Sequence, residues 1–223
     1  MTAKQQATRV LDVAIIGAGL CGLFALHRLR KQNLSIRVYE TGSDVSGTWY
    51  WNRYPGLRID LEAVDYSYPI PEIEQEWNWS ERYASQAELL RYFNFVVDRL
   101  DMRRDIQLNT RIESFTFDEQ AAHWILEGSN GEVVHARYVV MATGLLSVAN
   151  RTQFEGMADF TGLQVHSAEW PEGGIDFTGK RVAVIGTGSS GVQIVPIVAE
   201  QARHLHVFQR PAGYIVPLRN EPM

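Results

Sequence analysis

Two short runs in this 223-residue chain have the residue types to hold phosphate: Gly17-Ala18-Gly19-Leu20-Cys21-Gly22 and Gly186-Thr187-Gly188-Ser189-Ser190-Gly191. Both have the form G-x-G-x-x-G. A pyrophosphate is held by backbone N–H groups, and glycines let those groups come close to it. Each unit then carries a residue suited to a ribose. A carboxylate at Glu40 accepts hydrogen bonds from free ribose hydroxyls. Arg210, taken as the corresponding residue of the second unit, suits a 2′-phosphate, which a carboxylate would repel. The first site is therefore read as preferring FAD and the second NADPH.

The elements around each run must place those N–H groups. Leu11–Ile16 is a nearly continuous apolar run, as a buried parallel strand requires. A helix is expected from Gly22 to Lys31, with Leu23, Leu26 and Leu29 on one side, and Ile36–Glu40 reads as the next strand. Arg181–Ile185, a helix interrupted or ended by Pro196, and Leu205–Gln209 repeat the unit. A lone G-x-G-x-x-G is a weak signal, but here both copies follow a strand and open a helix. Between the units, Ser85-Gln-Ala-Glu88 has the form of a capping box opening a helix to about Leu100. Arg111–Ala136 alternates around the turn Ser129-Asn-Gly131, which suggests a small antiparallel meander, and Tyr138–Ala142 reads as a buried strand. Ser43–Pro71 is rich in Gly, Pro and aromatics and is too long for a simple connection, so it reads as a functional loop.

The expected class is α/β: two Rossmann-like dinucleotide-binding domains with mainly parallel sheets, the first carrying the meander and the second incomplete. The expected division is 1–145 for the FAD part, 146–180 for a linker and 181–223 for the NADP part. Net charge is −5 with no basic block, which argues against nucleic acid as a partner. The single cysteine, Cys21, cannot form an internal disulfide, and no apolar run has membrane-spanning length. A cytoplasmic protein is expected. No thiol cluster or H-E-x-x-H pattern marks a metal site, and His27, His123, His135, His204 and His206 have no catalytic or ligating spacing. Met1–Arg9 is polar and expected to fray.

Two further stretches carry a resemblance. Phe160-Thr-Gly162-Leu-Gln-Val-His166-Ser-Ala-Glu-Trp170-Pro171 has the form F-x-G-x-x-x-H-x-x-x-W-P, and Gly47-Thr48-Trp49-Tyr-Trp-Asn-Arg-Tyr-Pro-Gly-Leu-Arg58-Ile-Asp60 is dense in aromatics. Together with Trp77–Gln86 and Ala142-Thr-Gly144, they resemble the Baeyer–Villiger monooxygenases, above all the branch acting on cyclic, aryl and steroid-type ketones. Trp49, Tyr50 and Trp51 could wall a flat isoalloxazine.

The resemblance implies an FAD- and NADPH-dependent enzyme that inserts one oxygen atom of O2 beside a ketone carbonyl, giving an ester or lactone. It places Gly47, Thr48, Trp49, Asp60 and Tyr66 at the flavin, and Arg58 and Asp60 also near the nicotinamide cofactor. Asp60 would orient an active-site arginine. His166, grouped with Asp60 among the candidate catalytic residues, would couple domain movement to cofactor chemistry, and Trp170 would pack the linker. Ser46 stands where the family commonly has glycine, and Pro211 follows Arg210 where a threonine is usual. Family members are more than twice as long, so the chain reads as an N-terminal fragment, inactive or incomplete by itself. Two other readings stay open: a flavin-containing monooxygenase acting on nitrogen or sulfur, and a non-catalytic nucleotide-binding remnant.

Overall fold

A computed structural model describes residues 10–223; the Met1–Arg9 segment lies outside the described residues. Two compact units are formed. One holds the chain up to Tyr50 together with Tyr92–Ser147, the other Trp51–Arg91 together with Val148–Met223. Compactness thus divides the chain differently from the expected division 1–145, 146–180 and 181–223, because residues 51–91 pack with the later part of the chain.

In the first unit, β1 (Leu11–Ile16) leads through the first glycine run into α1 (Leu20–Arg30) and β2 (Ile36–Tyr39). Val13, Ala14 and Ile15 are all buried, so both faces of β1 are covered, which explains its unbroken apolar run. The helix begins at Leu20, two residues before Gly22, since Gly19 already serves as its N-cap. The connection after β2 carries α2 (Thr48–Trp51); next along the chain come α3 (Pro71–Glu76), which belongs to the second unit, and α4 (Gln86–Arg99), which begins in the second unit and continues in the first. The sheet is completed by β3 (Ile106–Gln107), β4 (Ile112–Asp118), β5 (His123–Gly128) and β6 (Val133–Met141), in the order β3-β2-β1-β6-β5-β4.

The meander belongs to this same sheet. Gly131, at a φ of 81°, closes the β5–β6 turn, and Gly128 N–H donates to the Glu132 carbonyl at 2.9 Å. Strand β6 pairs antiparallel with β5 through Val133–Ala136, then parallel with β1 from Ala136 to Met141. The expected hairpin arm and the expected strand Tyr138–Ala142 are therefore one element. The expectation of burial for its second half is corrected: Tyr138 is 68% exposed. Of this half, Val139 is partly buried and packs against the cluster of Ala14, Tyr39, Leu126, Val134 and Ala136.

In the second unit, β7 (Arg181–Ile185), α5 (Ser189–Gln201) and β8 (His204–Phe208) form a parallel βαβ unit, with Ile185 opposite Phe208. Helix α5 runs past Pro196 to Gln201 rather than ending there, and its buried Ile194 and Val198 lie on either side of the proline. Ser85 caps α4 as expected, its Oγ accepting from Glu88 N–H at 3.4 Å. The reciprocal half of the capping box does not form. The Glu88 carboxylate instead accepts from the Ser80 backbone N–H (2.8 Å) and hydroxyl (2.9 Å), where it is buried. Among the described residues no helix is long and apolar enough to cross a membrane.

Candidate functional site

The first turn is built by contacts that exclude side chains. Gly17 has a φ of +105°, and a Cβ there would lie 2.5 Å from the Ala142 carbonyl oxygen. A Cβ on Gly22 would lie 1.9 Å from the Gly17 oxygen. Gly17 N–H donates to the Tyr39 carbonyl at 2.8 Å, which ties the turn to the end of β2. Gly19, the N-cap of α1, has no side chain to cap the helix, so nothing of its own stands between the helix start and an approaching anion.

Glu40 holds this turn directly. It is only 5% exposed, and its carboxylate accepts from Ala18 N–H and Gly42 N–H, each at 2.8 Å. Two oxygens offer about four acceptor sites, so capacity for a ribose hydroxyl remains. The carboxylate therefore has a structural duty that its sequence position did not reveal.

The loop after β2 lies against the turn. Ser46 N–H donates to the Ala18 carbonyl at 3.0 Å, and a Cβ on Gly47 would lie 2.8 Å from Gly19 Cα. Ser46, where a glycine is common in the resembled family, takes a φ of +97°. It is 1% exposed, and its Oγ has no hydrogen-bond partner among the described residues. Position 46 thus demands glycine geometry, and the serine meets it at a cost in strain.

Trp49, Tyr50 and Trp51 do not form one wall. Successive residues of the α2 turn point about 100° apart, so three in a row cannot share a face. Trp49 is 7% exposed, Trp51 is 46% exposed, and the Tyr50 ring packs where a Gly42 side chain would be, its hydroxyl 2.8 Å from Ser43 Oγ. Gly47, Thr48 and Trp49 belong to the unit of the first turn; Arg58, Asp60 and Tyr66 belong to the unit of the second.

The second turn repeats the plan. Gly186 N–H donates to the Phe208 carbonyl at 2.8 Å, and a Cβ on Gly191 would lie 2.2 Å from the Gly186 oxygen. Gly188, the uncapped N-cap of α5, has nothing within 4 Å of a Cβ position. This register corrects one reading. Because Ile16 pairs with Tyr39 and Ile185 with Phe208, the residue equivalent to Glu40 is Gln209, not Arg210. Counting would have shown it, since Glu40 and Gln209 are each the twenty-third residue after the first glycine of their turn. Gln209 Oε1 accepts from the Thr187 hydroxyl at 3.2 Å, and Arg210, the next residue, is exposed.

Near the second turn, Gln193 of α5 contacts the Tyr54–Arg58 segment, a connection that sequence reasoning missed. Its Nε2 donates to the Arg58 carbonyl (3.0 Å), and its Oε1 accepts from Arg58 N–H (3.3 Å) and Tyr54 OH (3.3 Å). Burial pushes the Tyr54 hydroxyl up, a hydrogen bond from the Ser190 hydroxyl pulls it down, and the charge of Asp60 pushes it up. The Arg58 guanidinium donates to the Tyr83 carbonyl at 3.0 Å and pairs with Glu81 at 3.3 Å. Asp60 is exposed and Tyr66 half-buried.

In the fingerprint stretch, a Cβ on Gly162 would meet the Phe160 ring at 2.5 Å, which accounts for the F-x-G spacing. His166 Nδ1 accepts from Ala168 N–H at 3.2 Å and caps the short 3₁₀ turn Ser167–Glu169, leaving the ring proton on Nε2. Trp170 packs on Phe177 with ring centroids 6.1 Å apart. The histidines judged unpatterned include a cross-strand pair: His123 Nε2 lies 2.7 Å from His135 Nδ1. No group of three or more potential metal ligands occurs among the described residues.

Residues 14–214 match the pyridine nucleotide-disulphide oxidoreductase family over most of the chain. The chain belongs to that family. Within it, relatives bear out the resemblance to Baeyer–Villiger monooxygenases. An acetone monooxygenase (methyl acetate-forming) of Gordonia sp. is 46% identical over 96% of this chain and 40% of its own length. A Baeyer–Villiger monooxygenase of Pseudooceanicola batsensis is 45% identical over 95% of this chain and 39% of its own. A phenazine N-monooxygenase of Lysobacter antibioticus is 46% identical over 92% and 38%. Among solved structures, an oxidized steroid monooxygenase bound to NADP superposes with a TM-score of 0.91 at 54% identity, covering 96% of this chain and 41% of that one. OTEMO in complex with FAD and NADP gives 0.90 at 43% identity, covering 97% and 42%. The chain spans about 40% of the length of the curated relatives it matches.

Proposed function

We propose that this chain carries the two dinucleotide sites of an FAD- and NADPH-dependent Baeyer–Villiger monooxygenase, which inserts one atom of O2 beside the carbonyl of a small-molecule ketone to give an ester or lactone. The observation that carries this reading is the repeated turn: two helices open on glycine N-caps that have no side chain to fill the end, each beside the end of a parallel strand, as a pyrophosphate site requires. The residues fit both groups. Gly17, Ala18, Gly19, Gly22 and Glu40, with Gly47, Thr48 and Trp49, would hold FAD. Gly186, Thr187, Gly188, Ser189, Ser190 and Arg210 would hold NADPH, with Arg58 and Asp60 toward its nicotinamide and Tyr66 toward the flavin.

When bound, the flavin supplies the redox and oxygen chemistry. The protein's part is to orient and to shield. Asp60, exposed at the end of the segment bonded to α5, would hold a cationic partner. His166, its Nδ1 engaged, presents Nε2–H as a donor and couples linker movement to the cofactors. The functional domains at 1–145, 146–180 and 181–223 and a cytoplasmic location, read from the single cysteine, belong to the same proposal.

A second reading has a specific support: a relative named for N-oxygenation is as similar as those named for ketone oxidation. The test is product analysis with the whole protein, supplied with NADPH, O2 and either ketones or aromatic N-heterocycles. Ester or lactone formed in step with NADPH consumption supports the first reading, and N-oxide alone overturns it. In the same protein Arg210→Ala should lower the preference for NADPH over NADH by about tenfold to a hundredfold, the loss of one charge-assisted hydrogen bond. An unchanged preference means that another residue reads the 2′-phosphate.

A further inference from the structure

The contact between α5 and the segment ending at Asp60 is built as a clamp. Through its side-chain amide, Gln193 both donates to and accepts from the backbone of Arg58, as a neighbouring β-strand would. The same Oε1 takes the Tyr54 hydroxyl at 3.3 Å. Between these two anchor points, Gly56 lies so close to α5 that a Cβ would be 2.4 Å from the Gln193 carbonyl oxygen. On the other flank, Ile59 N–H donates to the Ala84 carbonyl (3.1 Å) and Gln86 N–H to the Leu57 carbonyl (2.9 Å). The segment is thus held on both sides, and on the α5 side the bonds run to the first turns of the helix.

We propose that Tyr54 and Gln193 are positioning residues that transmit occupancy of the Gly186–Gly191 turn to Arg58 and Asp60, an inference that rests on reading this turn as the nicotinamide dinucleotide site. Gln193 follows the turn by two residues on α5 (Ser189–Gln201), so a pyrophosphate that orders the start of α5 orders one end of the chain of bonds. The Tyr54 hydroxyl holds the Gln193 amide in place, and the Arg58 backbone is the last link. Asp60 is two residues further on. The coupling needs no movement of whole domains; it needs only that the start of α5 becomes less mobile when a phosphate is bound.

Residue-resolved amide hydrogen exchange of the chain, with NADP+ as the probe, tests this. NADP+ should slow exchange at the Gly188–Ser190 amides and, by about tenfold, at the Arg58 amide. In Gln193→Ala the slowing at the turn should persist while that at Arg58 falls below about twofold. Tyr54→Phe keeps the ring, removes only the hydroxyl, and should give a reduced effect at Arg58 even if Gln193→Ala does not fold. Slowing at the turn with none at Arg58 in the unsubstituted chain would overturn the coupling alone. An undiminished effect at Arg58 in both variants would do the same. No effect of NADP+ at the turn would overturn the dinucleotide reading, and the clamp with it.

Discussion

The two glycine turns share a hydrogen-bonding plan but not their surroundings. In both, the first glycine donates to the last carbonyl of the next strand at 2.8 Å, and the third glycine presses on the oxygen of the first. Around Gly17 the space is taken by Ala142 and around Gly19 by Gly47, whereas Cβ positions on Gly186 and Gly188 meet nothing within 4 Å. At the end of the second strand, the first unit has a buried carboxylate bonded to two backbone N–H groups, while the second has an amide bonded to one hydroxyl. One motif therefore serves two situations. In the first turn its glycines are required by the protein's own packing; in the second, Gly186 and Gly188 leave room for something else to approach.

The sharpest way to break this contrast is to add the same methyl group to both. Gly17→Ala combines strain at a φ of +105° with a close approach to the Ala142 oxygen, and should cost about 4 kcal/mol. Gly186→Ala has the strain alone, at +104°, and should cost about 2 kcal/mol. Urea unfolding measures both, and equal losses would show that the surroundings are irrelevant. Next in size is Glu40→Ala, which leaves the Ala18 and Gly42 N–H groups unpaired and should cost about 3 kcal/mol. Gln209→Ala, losing one exposed hydrogen bond, should stay within about 0.5 kcal/mol.

The strands also titrate differently. Tyr39, the last residue of β2, has its hydroxyl pushed up from 10.0 to about 12, chiefly by burial, with Glu132 adding to the shift and Arg37 opposing it. The fold favours the neutral phenol, so this stabilisation is complete below about pH 10 and is lost as pH rises toward 12, by roughly 2–3 kcal/mol. The equivalent residue of the second unit, Phe208, cannot titrate. Tyr39→Phe should flatten the loss of stability between pH 10 and 12 seen by circular dichroism, and an unchanged profile would assign that loss to other groups. One substitution should be a gain: Ser46→Gly removes both the strained φ and the unsatisfied hydroxyl, and should add about 1–2 kcal/mol. A loss of stability would mean that the hydroxyl has a partner among the groups around it.

Much of the fold was legible because its signals are local. Apolar runs at Leu11–Ile16 and Arg181–Ile185 and the glycines that end them depend on neighbours in sequence, and they settled the two βαβ units and the order of their elements. The chemistry of the turns was legible for the same reason. A glycine at a given spacing has the same backbone freedom wherever the motif occurs.

The rest was decided by residues far apart in the chain. Strand register moved the counterpart of Glu40 from Arg210 to Gln209, because hydrogen bonds between β7 and β8, not resemblance of residue types, align the two ends. Helical geometry at α2 separated three aromatics that are adjacent in sequence. The partners of Gln193 and of the Glu88 carboxylate were likewise invisible: a buried polar group must find a hydrogen bond, but only the folded chain determines which one comes within reach. The sequence by itself determined where the two glycine turns fall and which strands and helices flank them. Tertiary structure alone decided which side chains the protein uses to build the turns, because that depends on which backbone groups packing leaves without a partner.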